Sequence, residues 1–220
     1  MATSGTFTFQ LDTEEILREA FERCLIDPSV LTANDWVSAI RSLNLLFVDW
    51  SVRGINYWAV DRQSFTTTSG TASYTLQAGT LDILNMMIDR SGTETIVNRR
   101  SLVDYDLLPN KDDAGRPTEF FLDRQYTPTV SLWPVPDNST DTIYYWRMTQ
   151  VEDVTALSED VDAPYRWTEA LCAGLAAKIA RKKKPELVAD LKIEALEAFD
   201  AASGDERERA TLRIIPQTVL

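Results

Sequence analysis

The sequence predicts an α+β fold: a four-helix bundle from N- and C-terminal helix pairs, with an inserted antiparallel β-sheet and an extended C-terminal tail. Three observations predict it. Apolar residues recur at helical spacing towards both ends of the chain. Between those stretches the pattern changes to loose alternation in β-branched and aromatic residues, broken by Ser-Gly and Pro turns. The final residues turn apolar again, after a helix stop and a charged stretch.

The first helix is read over residues 11–25. Asp12 and Glu15 form a capping box, Leu11 staples on Ile16, and Leu17, Ala20, Phe21, Cys24 and Leu25 make one apolar stripe. Asp27-Pro28 ends it. The second is read over residues 32–53, where Thr32 and Asp35 repeat the capping box and Leu31 can staple on Trp36. Ile40, Leu43, Phe47 and Trp50 carry its stripe, with Leu46 beside them. Gly54 stands where a C-terminal cap belongs.

Residues 57–68 and 72–76 read as strands around the Ser69-Gly70 turn. Residues 81–89 form a further apolar run, and residues 95–99 pair back after Ser91-Gly92. Ser101 and Asp104 cap a short helix through Leu108, and residues 109–117 form a polar loop. Three more strands follow at 119–124, 129–133 and 142–148, so the middle reads as a hairpin sheet. An acidic connector leads to Pro164, which suits the first turn of a third helix. Trp167, Leu171, Gly174, Leu175 and Lys178 form its stripe. Pro185 opens a fourth helix through Leu187, Val188, Leu191, Ala195, Leu196 and Phe199, and Ser203-Gly204 stops it. The organisation is then a helix pair (1–56), an inserted antiparallel β region (57–150), a second helix pair (151–204) and a docking tail (205–220).

Composition narrows the function. The chain has 220 residues, 44% hydrophobic and 25% charged, so a core is available. Its net charge of −12 repels phosphate and argues against the basic footprint of a nucleic-acid binder. An acidic wall would, however, let DNA slide past without sticking. Cys24 and Cys172 read as buried thiols of a reducing compartment, with one chance disulfide as the alternative. No apolar run approaches the ~20 residues that span a bilayer, and the first residues lack the features of a signal peptide. The expectation is a protein made in the cytoplasm, with no membrane contact.

The chain has no histidine. Histidine-based triads and histidine-ligated zinc are therefore excluded, and two cysteines cannot supply a cysteine-only site. There is no Walker-type loop or dinucleotide fingerprint, so no cofactor is expected. Acidic pairs at Glu14-Glu15, Asp112-Asp113 and Glu159-Asp160 keep a two-carboxylate hydrolase conceivable. Such residues are, however, mostly solvated surface.

Interaction residues carry more signal. In a strand, Tyr144-Tyr145-Trp146 alternates faces, so one side is core and the other offers large rings outward. Tyr144, Trp146, Trp133 and Arg116 are the candidates for a subunit interface or a tail-side contact. Arg181, Lys182, Lys183 and Lys184 complement a helix dipole and are also a candidate contact for a polyanion or partner. Leu212, Arg213, Ile214, Ile215, Pro216, Val219 and Leu220 have no evident partner in their own bundle. They are expected to dock on another chain by strand addition or in a groove.

Several stretches together resemble the tail adaptor (head-to-tail connector) proteins of short-tailed bacteriophages. These are Ala2-Thr3-Ser4-Gly5-Thr6-Phe7-Thr8-Phe9 with Leu11-Asp12, Ala39-Ile40-Arg41-Ser42-Leu43-Asn44-Leu45-Leu46 running into Asp49-Trp50, and Arg53-Gly54-Ile55-Asn56. The middle adds Leu108-Pro109-Asn110-Lys111, Gly115-Arg116-Pro117-Thr118 and Leu132-Trp133-Pro134-Val135-Pro136-Asp137. The end adds Ala163-Pro164-Tyr165-Arg166 and Leu171-Cys172-Ala173-Gly174-Leu175-Ala176. The resemblance implies a structural virion protein of the tail or neck. It implies a twelve-membered ring that joins portal to tail nozzle or tube, lets genomic DNA pass without sequence-specific binding, and reaches the portal with its C-terminal tail. Two other readings compete. A carboxylate-dependent glycan hydrolase for cell entry needs two carboxylates about 5–9.5 Å apart across a groove. A monomeric cytoplasmic binding module would stay monomeric when mixed with a portal.

Overall fold

The structure, a computed structural model, describes Gly5, residues 9–53 and residues 58–205. Its helices are α1 (Thr13–Arg23), α2 (Ala33–Val52), α3 (Leu102–Asp106), α4 (Thr168–Lys183) and α5 (Val188–Asp205). Its strands are β1 (Val60–Thr66), β2 (Ser73–Thr75), β3 (Thr80–Arg90), β4 (Thr93–Ile96), β5 (Asn98–Arg100), β6 (Ala114–Gly115), β7 (Glu119–Asp123), β8 (Thr129–Trp133), β9 (Val135–Pro136) and β10 (Thr142–Thr149). The chain divides into two compact units, Met1–Asp49 with Asp153–Leu220, and Trp50–Glu152.

The first unit is helical. Asp12 accepts from the Glu15 amide at 2.8 Å, and Glu15 accepts from the Asp12 amide at 3.3 Å, so the predicted capping box forms. At Thr32 the arrangement is half made. The Asp35 carboxylate accepts from both the amide and the hydroxyl of Thr32, at 3.0 and 2.8 Å. The apolar face of α1 is buried, but Leu25 is not part of it. The helix ends at Arg23, and Leu25 sits at φ 54°, exposed.

Helix α4 is central to this unit. Ala170, Ala173, Ala176, Ala180, Gly174, Leu171, Leu175 and Ile179 are buried, so the helix is enclosed almost all round. Small side chains let neighbours approach closely. A Cβ on Gly174 would lie 3.1 Å from both methyl carbons of Leu46 on α2. The Cys24 thiol donates to the Ala176 carbonyl at 3.3 Å, and Trp167 meets Phe199 of α5 edge-on at 5.6 Å. The acidic connector serves α1 directly, because the Thr13 and Glu14 amides donate to the Glu159 and Leu157 carbonyls, both at 3.1 Å.

The second unit is β-rich. One sheet has the order β1-β10-β3-β4, a second β2-β8-β7-β5, and β6 pairs with β9. Ile83, Met86, Ile88, Ile143 and Tyr145 of the first sheet share a core with Phe120, Leu122, Val130 and Leu132 of the second. This is a sandwich. The chain crosses between sheets at Val97. Its amide donates to Met86 in the first sheet at 2.9 Å, and the next amide, Asn98, donates to Thr118 at 2.8 Å beside the second. Ser91 and Gly92, at φ 57° and 82°, form the predicted β3–β4 turn, whose geometry demands positive φ twice.

The predicted fold class is therefore corrected. The chain is not a four-helix bundle with an inserted antiparallel sheet: among the described residues, ten strands in three sheets form a sandwich-like body. The pairing is not purely antiparallel either, because β5–β7 and β6–β9 run parallel. The physical reason is two-sided burial demand. Residues 57–150 carry too many inward-facing apolar side chains for one sheet, and a second sheet covers them.

Candidate interaction surfaces

The first surface is the outer face of the β1-β10-β3-β4 sheet. Across it, Ser64, Tyr144, Met87 and Ile96 are register partners, and Arg62, Trp146 and Asn85 form the next row. Tyr145 points the other way and is buried at 3% exposure, which is the alternation expected of the aromatic run. Trp146 is 41% exposed and Ile96 63%. The Arg62 guanidinium sits 4.5 Å above the Tyr144 ring and 3.3 Å from Glu94, which fixes the ring's orientation. A register shift after Trp146 admits an extra β3 residue, and Leu84 there is exposed.

Trp133 and Arg116 are half-buried and serve the polar loop. The Trp133 indole N–H donates to the Asn110 carbonyl at 2.9 Å. Arg116 donates through Nη2 to the carbonyls of Thr93 at 2.8 Å and Ile88 at 3.2 Å, and its Nε is buried without a partner. These contacts pin the loop beside the β3–β4 hairpin. The structure thus brings Tyr144 and Trp146 onto one face, with Arg116 holding a neighbouring loop.

The basic run is partly engaged. Lys182 donates to Ser42 Oγ at 2.6 Å, to Ser38 Oγ at 3.0 Å and to the Ser38 carbonyl at 3.2 Å, and burial lowers its pKa. Lys183 pairs with Asp35, whose carboxyl that cation and the Thr32 amide hold down to about 2. Arg181 is exposed and Lys184 half-exposed. Leu212, Arg213, Ile214, Ile215, Pro216, Val219 and Leu220 lie outside the described residues.

Several features lie outside the expectations from sequence. One is a clasp in the β unit. The Arg90 guanidinium donates to the Asp141 carboxylate at 2.7–3.1 Å, and to Asp137, while the Asp141 side chain is 2% exposed. Another is an open cleft of about 600 Å³ lined by Thr75, Gly79, Arg124, Tyr126, Pro128 and Gln150, with Tyr126 fully exposed. A third is apolar exposure on α2 and α5. Its signal was present in the sequence, because Val37, Leu45 and Val48 stand off the Ile40-Leu43-Phe47-Trp50 stripe.

The carboxylates bear on the hydrolase reading. Glu14 binds Arg18, Glu15 caps α1, and Glu159 accepts from the Thr155 and Ala156 amides. Asp27, Asp35, Asp61, Asp137, Glu159 and Glu169 are held below the ordinary carboxylate range by such hydrogen bonds and cations. A general acid needs the opposite displacement. Among the described residues no group of three His, Cys, Asp or Glu could hold a metal ion, and no helix is long and apolar enough to cross a membrane.

The family model described as SU10 adaptor protein matches residues 13–217. The chain belongs to the SU10 adaptor protein family. The match runs through both units and agrees with the adaptor resemblance carried by the sequence fragments. No curated protein matches. Membership in the SU10 adaptor family makes this a phage structural adaptor protein and a component of the virion neck.

Proposed function

We propose that the chain is the repeating subunit of a twelve-fold ring that joins the portal to the tail nozzle or tube and lines the DNA exit channel. The observation that carries this reading is the adaptor family match along residues 13–217. Two physical features support it. The net charge of −12 suits a wall past which a polyanion moves without adhering. The outward face with Tyr144 and Trp146 has the aromatic composition of a protein contact. In this reading that face, with Trp133 and Arg116 on its flank, makes subunit or tail-side contacts. Arg181 and Lys184 are the basic residues left for a partner. Leu212, Arg213, Ile214, Ile215, Pro216, Val219 and Leu220 dock on the portal.

The test is electron microscopy of the purified chain mixed with portal particles of its own virion. Twelve-fold density beneath the portal is the expected result. Absence of bound density at saturating protein would sink the ring reading. A chain lacking residues 212–220 is expected to lose portal occupancy, and unchanged occupancy would refute the docking role of the tail.

A further inference from the structure

Helix α2 is apolar on two sides. Its inward side buries Ala39, Leu43, Leu46 and Phe47. Its outward side carries Val37, Arg41, Leu45 and Val48, spaced by four, four and three residues, so they share one stripe. Val37 is 56% exposed, Leu45 53% and Val48 49%. Arg41 stands exposed in the middle of the stripe, close enough to Lys182 that its charge lowers the lysine's pKa. The stripe is thus apolar with a cationic centre.

Helix α5 presents the converse. Ile193 is 59% exposed and Leu196 53%. Around them stand exposed Asp190, Glu197 and Asp200, with Lys192 the one cation of that stretch. Glu194 is turned to Arg23 at 2.9 Å. The stripe is apolar with an anionic surround. The two helices also match in length: 20 and 18 residues, hence about 30 and 27 Å.

We propose that the outward stripe of α2 on one copy packs against the outward stripe of α5 on the next copy, with Leu45 and Val48 against Ile193 and Leu196 and with Arg41 facing Glu197. This assignment rests on the ring reading and gives it a specific contact. Among the described residues, one chain carries two different apolar faces of opposite charge that no other element covers. A head-to-tail contact uses each face once per copy, and a closed ring leaves neither exposed. Charge complementarity sets the register and disfavours α2 meeting α2 or α5 meeting α5.

The experiment uses full-length chain on portal particles, with ring density scored by electron microscopy and contacts by a short bis-maleimide cross-linker. The native cysteines are buried and leave engineered thiols as the reactive ones. Three variants are compared: Leu45→Cys, Leu196→Cys and both together. The double variant is expected to give a ladder of cross-linked multimers. An equal mixture of the single variants should give dimers, and either single variant alone should give none. Ring density without a ladder would overturn the face assignment and leave the ring reading standing. Dimers from Leu45→Cys alone would overturn it in favour of a two-fold contact. No ring density would overturn the ring reading, and this contact with it. As a second arm, Arg41→Glu or Glu197→Arg alone should lower occupancy about tenfold at sub-saturating protein, and the pair together should restore it. Unchanged occupancy in both single variants would remove the Arg41–Glu197 pairing.

Discussion

Arg23 shows how much a single side chain can organise. Its guanidinium donates to Glu19 at 2.8 Å, to Glu169 at 2.7 and 2.8 Å, and to Glu194 at 2.9 Å, joining α1, α4 and α5. Bonding to Glu169, the largest influence, raises the arginine's pKa and lowers that of Glu169. Cys172 and Cys24 are governed by burial instead, which pushes their thiols up to about 12 and about 11. Both are expected to resist a thiol-specific disulfide reagent in the folded protein at about pH 8 and to react on unfolding. Rapid stoichiometric labelling of native protein would contradict this. Asp35 gives a pH signature. Its folded-state pKa is depressed to about 2 from 3.8, so its contribution is present above the ordinary value and is lost as pH falls through about 2. Thermal midpoints from about pH 5 downward should fall less steeply in Asp35→Asn than in the parent. Identical slopes would show that the Lys183 and Thr32 contacts are not coupled to folding. Burial of both thiols was legible from their helical positions. The bonds from Arg23 to Glu169 and Glu194 and from Lys183 to Asp35 were not, because those partners come from distant stretches of chain.

Among elements, the helices were the most legible, because caps and stripes are local. Asp12, Glu15 and the Ile16-Leu17-Ala20-Phe21 face stand where residue spacing places them. Leu25 escaped that logic, because helix termination rather than periodicity decides its environment. Packing density sets the next expectation. Gly174→Val, aimed at both Leu46 methyl carbons, should cost about 1–3 kcal/mol in denaturant unfolding, while Gly174→Ala sets the same crowding against about 1 kcal/mol of helix propensity. A valine variant as stable as the parent would mean that Leu46 repacks freely. In the β unit, Arg90→Met strands the buried Asp141 carboxylate and should cost about 3–5 kcal/mol at neutral pH. Arg90→Met with Asp141→Asn should recover part of that loss. Failure of any recovery would place the arginine's role in packing.

At the scale of the molecule, helical and β-rich stretches are separable by residue pattern, but the weight of the β-rich part is not. A hairpin sheet was the economical reading of consecutive strands. The actual ladders join β1 to β10, β2 to β8 and β5 to β7, pairings that no local spacing encodes. The switch at Val97 looks in sequence like any other strand residue. Surface exposure on α2 was readable in principle, since Val37, Leu45 and Val48 stand off the single stripe that helical spacing picks out. Separate compactness predicts separate folding. Residues 58–152 alone should show β-rich circular dichroism and a cooperative melt. A disordered fragment would show that the unit depends on the rest of the chain. Its two ends also carry a consequence for inheritance. Val60 is the register partner of Met148, and the Thr149 amide donates to the Ala59 carbonyl at 2.7 Å. A segment that begins and ends at one place can be exchanged by recombination as a single cassette. Lineages could then trade the whole sandwich for another with neighbouring ends, leaving the reading frame and the helical scaffold on either side untouched.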